Sequence, residues 1–182
     1  MHTSLDGFVA GPKGEMDWIN VGDEMFEYAG QRTREADTAL YGRVTWQMME
    51  SYWPTAADQP NPSAHDIEHS RWYNTVEKVV ASRTMKGASL PRTTIVDARL
   101  GDEVRRLKRA SGRSIVMFGS PTVAHELMSE ELIDDYWLFV NPILLGEGIP
   151  LFKDVRRRAS LKLVANQVFS SGVVCLHYEA QM

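Results

Sequence analysis

The sequence predicts an α/β fold: a mostly parallel central sheet with helices on both faces, closed by an antiparallel hairpin at the carboxyl end. Three observations lead there. Short apolar runs of strand length alternate with helix-period segments between residues 38 and 128, the pattern of a parallel sheet with crossover helices. Glycine or serine follows three of those runs at once, as strand-to-helix junctions require. After Asp134 the helical pattern stops, and two long strand-like segments flank Ser170-Ser171-Gly172, a hairpin signature.

The elements follow in order. Ser4-Leu5-Asp6-Gly7 reads as a turn, so the chain begins inside its first strand, and Gly11-Pro12-Lys13-Gly14 is a loop. Asp23 is placed to cap a helix whose Met25, Phe26, Ala29 and Thr33 share a face. Thr38 to Tyr41 is a strand that breaks at Gly42, and a short helix carrying Trp46, Met49 and Tyr52 runs from there to Pro54. Ala56 to Pro62 reads as a mobile, proline-bearing loop. Ser63 with Asp66 three residues on predicts a capped helix through about Thr75. Lys78 to Ala81 is a buried strand, and Ile95-Val96 is another. Leu100, Val104 and Leu107 mark a helix that Gly112 stops, and Ser114 to Phe118 is a strand. A helix runs from Gly119-Ser120-Pro121-Thr122 through Met128. Tyr136 to Val140 is a strand, Asn141 to Pro150 a glycine-rich connection, and Leu161 to Phe169 pairs with Val173 to Ala180.

With 182 residues, 43% hydrophobic and 24% charged, the chain fits one globular domain spanning 1–182. It lacks both an export signal and a membrane-length apolar run, so a cytoplasmic protein is expected. A net charge of −4 with interspersed signs argues against nucleic-acid binding, so any anion site must be local. The single cysteine, Cys175, sits in an apolar run and reads as a buried strand position.

Chemistry concentrates at three strand ends: Gly42-Arg43-Val44-Thr45, Ser82-Arg83-Thr84 and Gly119-Ser120-Pro121-Thr122. In open α/β sheets ligands collect at carboxyl strand ends, so these segments are expected to face one crevice. Helix N-termini after Gly42 and Gly119 suit a pyrophosphate, and Arg43, Ser82 and Arg83 suit a 2′-phosphate, which favours NADP over NAD. No Gly-x-Gly-x-x-Gly follows the first strand, which argues against a Rossmann domain.

Leu40-Tyr41-Gly42-Arg43-Val44-Thr45-Trp46 resembles the cofactor-binding segment of dihydrofolate reductases. Ser4-Leu5-Asp6-Gly7 and Asn141-Pro142-Ile143-Leu144-Leu145-Gly146-Glu147-Gly148 resemble the reductase domain of bifunctional riboflavin-pathway deaminase-reductases. The resemblance to the family that joins them covers nearly the whole chain. It implies a dihydrofolate reductase-like fold, NADPH as hydride donor, a pterin- or pyrimidine-like heterocyclic acceptor and a homodimer. By resemblance, Gly42, Arg43, Val44 and Thr45 contact the cofactor, Ser82, Arg83 and Thr84 read its 2′-phosphate, and Phe118, Gly119, Ser120, Pro121, Thr122 and Val123 form the pyrophosphate turn. Trp18 and Asp23 resemble the tryptophan and acid beside the pterin. Hydride addition builds charge on a heteroatom, so a carboxyl group that orients the ring or relays a proton is wanted, and Asp23 and Asp6 are the candidates. The plainer roles are a helix cap for Asp23 and a turn for Asp6.

His65-Asp66-Ile67-Glu68-His69 matches an inverted zinc-protease string, with two histidines on one helical face. The sequence places no third ligand, so a solvated helix face is expected rather than a metal site. The alternative of another class is a protein that binds NADP(H) without catalysis.

Overall fold

The computed structural model describes residues 1–153, 155 and 158–181. The fold is α/β, and its contacts fall into two compact units, Asp23–Ser120 and the pair of segments Met1–Gly22 with Pro121–Met182.

The Asp23–Ser120 unit is the parallel one. Its strands are β3 (Ala36–Gly42), β4 (Glu77–Ala81), β5 (Thr93–Val96) and β6 (Ser114–Met117), in the order β5-β4-β3-β6 with every neighbour parallel. Helix α1 (Asp23–Arg34) leads into β3, α2 (Arg43–Tyr52) and α3 (Ala64–Thr75) connect β3 to β4, and α4 (Leu100–Arg109) connects β5 to β6. Strand β3 is central and its Ala39, Leu40 and Tyr41 are almost wholly buried, as are Val79 and Val80 of β4. Each large side chain of that set contributes on the order of 1.5–3 kcal/mol. Tyr41 and Ala39 form one cluster with Tyr73 and Val76, against which Trp46, Met49, Trp53, Trp72 and Phe118 pack.

The capping box expected at Ser63 is formed: Ser63 Oγ accepts from the Asp66 N–H at 3.0 Å, and Asp66 Oδ2 accepts from the Ser63 N–H at 2.9 Å. Three expectations need correction. The loop read over Ala56 to Pro62 is in its first half part of a 3-10 helix, Trp53–Asp58, that buries Ala56 completely. Helix α2 itself ends at Tyr52, just before Pro54 as read, and Pro54 is accommodated in the first turn of the 3-10 helix, where a proline has no N–H to lose. Helix α4 ends before Gly112, with Ala110 already extended as its cap. Asp23 is the first helical residue of α1 rather than the residue before it, so its charge acts on the helix dipole.

The other unit contains β1 (His2–Thr3), β2 (Phe8–Ala10), α5 (Pro121–Ser129), β7 (Asp135–Val140), β8 (Ile149–Pro150), β9 (Ser160–Val168) and β10 (Val174–Gln181). One sheet runs β1-β7-β10-β9, with β1 parallel to β7 and the rest antiparallel, and β2 pairs with β8 in a short antiparallel ribbon. The β9–β10 hairpin turns at Gly172, whose φ of +84° only glycine adopts freely. Cys175 is buried in β10, as read from the sequence. Asn141, also buried, joins this unit: its Nδ2 donates to the carbonyls of Thr3 and Phe139, and its Oδ1 accepts from the Asn20 N–H at 3.0 Å.

Candidate active site

The three chemistry-bearing segments leave adjacent strands. In the order β4-β3-β6, Gly42 lies level with Ala81, and Leu40 lies level with Met117. The residues after each strand, Arg43, Ser82 and Phe118-Gly119, therefore emerge side by side at one edge of one sheet.

No loop separates β3 from α2. Gly42 is the extended N-cap (φ −82°, ψ 159°), no side chain caps the helix, and no acid stands in its first turn. The N–H groups of that turn thus meet no internal anion, which makes the helix end an anion-binding position. Gly42 itself donates its N–H to Ser120 Oγ at 2.7 Å. Gly119 and Ser120 are consecutive left-handed residues, with φ of +71° and +61°. A non-glycine residue held there is a local strain of the kind that concentrates at ligand sites. A Cβ on Gly119 would stand 3.4 Å from Thr45 Cγ2, so the turn seats directly on the start of α2. Gly42 thus bonds to Ser120 and Gly119 lies beside Thr45, so these two segments adjoin.

Ser82 is buried and continues the sheet through its N–H to the Val96 carbonyl at 2.9 Å. Its Oγ accepts from the Met85 N–H at 3.2 Å and lies 3.4 Å from Thr84 Oγ1, which fixes a tight turn displaying Arg83 and Thr84 to solvent. Arg43 is exposed, and its Nη1 donates to Gln47 Oε1 at 2.9 Å one helical turn on. Val44 is 60% exposed. Phe118 supports the edge from beneath, its ring centroid 5.9 Å from that of His69 and 6.0 Å from that of Trp72. Pro121, Thr122 and Val123 form the first turn of α5 in the other unit, where Val123 is buried and Thr122 exposed.

The two candidate acids have different environments. Asp6 is exposed but committed: Oδ1 accepts from Ser4 Oγ at 2.6 Å and the Leu145 N–H at 3.1 Å, and Oδ2 accepts from the Gly146 N–H at 2.8 Å. These donors hold its carboxyl below the usual carboxylate range, the Ser4 hydroxyl contributing most. Asp23 is exposed at the head of α1, and its charge favours the protonated form of His65. Trp18, half-buried in the other unit, donates its Nε1–H to the Glu15 carbonyl at 3.1 Å.

The histidine string is not the solvated helix face expected from the sequence but part of a packed aromatic cluster in which His69 is buried. His65 stacks on Phe26 at 4.1 Å, His69 packs 4.0 Å from Trp53, and Glu68 is bonded to Arg34. Burial drives the His69 pKa down to about 3. Among the described residues no cluster of three metal-ligating side chains exists. Nor is any described helix long and apolar enough to cross a membrane.

Sequence reasoning missed Ser120 as the acceptor of the Gly42 N–H, Gln47 as the partner of Arg43, and Asn141 as a buried bridge. The first needs knowledge of strand order. Gln47 was detectable from its i+4 spacing, and Asn141 from a polar residue closing an apolar run.

Comparison with known proteins gives a consistent result. The family described as RibD C-terminal domain matches residues 1–175. The "Uncharacterized protein YyaP" of Bacillus subtilis (strain 168) is 35% identical over 179 residues, covering 96% of this chain and 89% of the relative. A putative riboflavin biosynthesis protein from Shewanella sp. PV-4 superposes with a TM-score of 0.70 at 23% identity, covering 100% of this chain and 97% of that one. A dihydrofolate reductase from Enterococcus faecalis complexed with NADP(H) superposes with a TM-score of 0.65 at 15% identity, covering 100% and 94%. The fold is thus dihydrofolate reductase-like.

Proposed function

The chain belongs to the RibD C-terminal domain family, and from that premise we propose that it is a cytoplasmic NADPH-dependent reductase acting on a pterin- or pyrimidine-like heterocycle. The observation that carries this reading is the adjacency of three carboxyl strand ends, of β4, β3 and β6, each bearing anion-binding chemistry. The residues fit a dinucleotide phosphate. The uncapped start of α2 at Arg43, Val44 and Thr45, with the left-handed turn at Gly119-Ser120, supplies backbone donors for a pyrophosphate. Arg43 and Arg83, with the hydroxyls of Ser82 and Thr84, supply what a 2′-phosphate needs. By family resemblance Phe118, Pro121, Thr122 and Val123 complete the cofactor set.

Bound NADPH would supply a hydride to a C=N or C=O bond of the acceptor. The chain's own part is to orient the acceptor and manage the proton. Asp23, exposed and without a hydrogen-bond partner among the described residues, is the proposed acid and ring-orienting group, with Trp18 as a flat apolar contact for the heterocycle. Asp6 is held ionised by three donors, which makes it a poor proton source. Its proposed role is to position the loop carrying Leu145 and Gly146. The homodimer contact is proposed on β9, an edge strand whose Leu161, Leu163, Val164 and Val168 are exposed and which would otherwise be open to aggregation.

The test is NADPH oxidation across a panel of pterins, pyrimidines and flavin precursors. Turnover with one acceptor is expected. Asp23→Asn should keep NADPH affinity and lose on the order of 100-fold or more in turnover. Arg43→Ala should weaken NADPH by about tenfold or more and NADH little. Equal losses with both cofactors remove Arg43 from the 2′-phosphate, and NADPH binding without turnover on any acceptor replaces the reductase with a binding protein.

A further inference from the structure

Arg43 opens α2 and is exposed, and its Nη1 donates to the amide oxygen of Gln47, Oε1, at 2.9 Å. The two residues stand four apart, so they lie one above the other on one helical face. The bond holds the guanidinium against the flank of the first turn, off the end of the helix where the uncapped N–H groups point. Two anion positions are thereby kept apart, one on backbone donors and one on a side chain.

The chemistry of the partner decides how much charge reaches a ligand. A carboxylate at position 47 would neutralise the guanidinium in an ion pair, whereas an amide oxygen orients it and leaves its charge whole. Among the described residues no carboxylate pairs with Arg43. The one acid of α2, Glu50, is bonded instead to the Tyr73 hydroxyl, which donates to Oε2 at 2.7 Å.

Gln47 engages only Nη1, so the edge of the fork formed by Nε and Nη2 stays available to two oxygens of one phosphate. Fixing a long side chain beforehand also removes rotamer freedom that it would otherwise lose on binding. We propose that Gln47 is a positioning residue for cofactor choice: it holds the Arg43 guanidinium, still fully charged, where a ribose 2′-phosphate binds, and so favours NADPH over NADH. This rests on the reading of Arg43 as the 2′-phosphate contact.

Calorimetric titration of the full chain with NADPH, NADH, 2′,5′-ADP and 5′-AMP tests it, in the parent and in Gln47→Met, Gln47→Glu and Arg43→Ala. Gln47→Met keeps the length of the side chain and removes the acceptor, and should weaken NADPH and 2′,5′-ADP by about three- to fivefold. Gln47→Glu keeps an acceptor and adds the neutralising charge, and should weaken them by about tenfold or more. NADH and 5′-AMP should bind each Gln47 variant much as they bind the parent, a selectivity that a merely structural role would not produce. Added to Arg43→Ala, Gln47→Met should cost nothing further, since the residue acts through the arginine. A selective NADPH loss in Arg43→Ala, with either Gln47 variant binding NADPH like the parent, would overturn the positioning role alone. Equal losses of NADPH and NADH in a Gln47 variant, or a further loss in the double variant, would do the same. Arg43→Ala weakening both cofactors equally, or neither, removes the 2′-phosphate reading and this inference with it.

Discussion

The turn at Asp6 and the carboxyl edge of the parallel sheet solve the same electrostatic problem in opposite ways. Both present backbone N–H groups that want an anion. At the turn the protein supplies one, as the Asp6 carboxylate accepts from Leu145 and Gly146 and locks a loop from far along the chain. At the edge it withholds one: α2 begins without a side-chain cap and without an acid in its first turn, and the nearby charges are the arginines Arg43 and Arg83. A carboxylate of the chain's own builds structure, and donors left without one are available to a ligand.

The most direct way to break this contrast is to give the edge its own anion. Val44 is exposed in the first turn of α2, so Val44→Glu introduces a carboxylate without disturbing the core. The helix should gain about 0.3–1 kcal/mol from its dipole, while NADPH affinity falls by about tenfold or more through repulsion of the phosphates. Calorimetric titration reads the affinity and thermal unfolding the stability, with Val44→Gln as the size control. Unchanged NADPH affinity would mean that the edge is not where the phosphates bind.

Acid sharpens the contrast from beneath. His69 packs against Phe118 and is kept neutral by burial, its pKa lowered from 6.5 to about 3, and His65 is shifted the same way. The unfolded chain takes up the proton below 6.5 and the folded chain does not. Stability is thus fully present above 6.5 and declines as pH falls toward 3, by up to about 1.4 kcal/mol per unit, or about 2 kcal/mol at pH 5. The Asp6 turn still holds at that pH, because its carboxyl titrates below the usual range. Denaturant unfolding of His69→Leu between pH 7 and 4.5 should show a flatter decline than the parent, the remainder coming from His65 and from His2, whose pKa is lowered to about 4. Parallel curves for the two proteins would remove His69 as the source.

What the sequence made legible was local. Tyr41-Gly42-Arg43 passes from strand to helix with no residue between, and Ser63 with Asp66 forms its capping box, because both signals lie within one turn of chain. What stayed hidden depended on partners far away. The 3-10 helix at Trp53–Asp58 is polar and proline-bearing in composition, and only the burial of Ala56 against the fold makes it ordered. The β2–β8 ribbon has a two-residue strand that no periodicity could reveal, and it depends on Gly148, where a Cβ would overlap the Ala10 carbonyl oxygen. Lys78 reads as one residue of an apolar strand, and the contact of its ammonium with the Tyr73 ring appears only in three dimensions. In the candidate site the phosphate-facing residues were legible as junctions, while the distinct environments of Asp6 and Asp23 were not, since Asp6 draws on Leu145 and Gly146.

The smallest effect is expected from removing the charge at Asp6 itself. Asp6→Asn keeps the side chain's shape and one carbonyl oxygen, so the Ser4, Leu145 and Gly146 donors lose strength rather than every partner, and water reaches the site. The sign of the pH dependence separates this from a general defect. A carboxyl lowered in the folded state contributes stability above its unfolded value and loses that contribution as pH falls through its folded one. Asp6→Asn should therefore melt at a modestly lower temperature than the parent at neutral pH, and the two should converge in acid below the usual carboxylate range. NADPH affinity should not change, because the donors concerned serve a loop and not the cofactor edge. A loss of NADPH affinity in Asp6→Asn that persists at full folding would show that the loop clamp and the anion edge do not act separately, and would collapse the distinction between them.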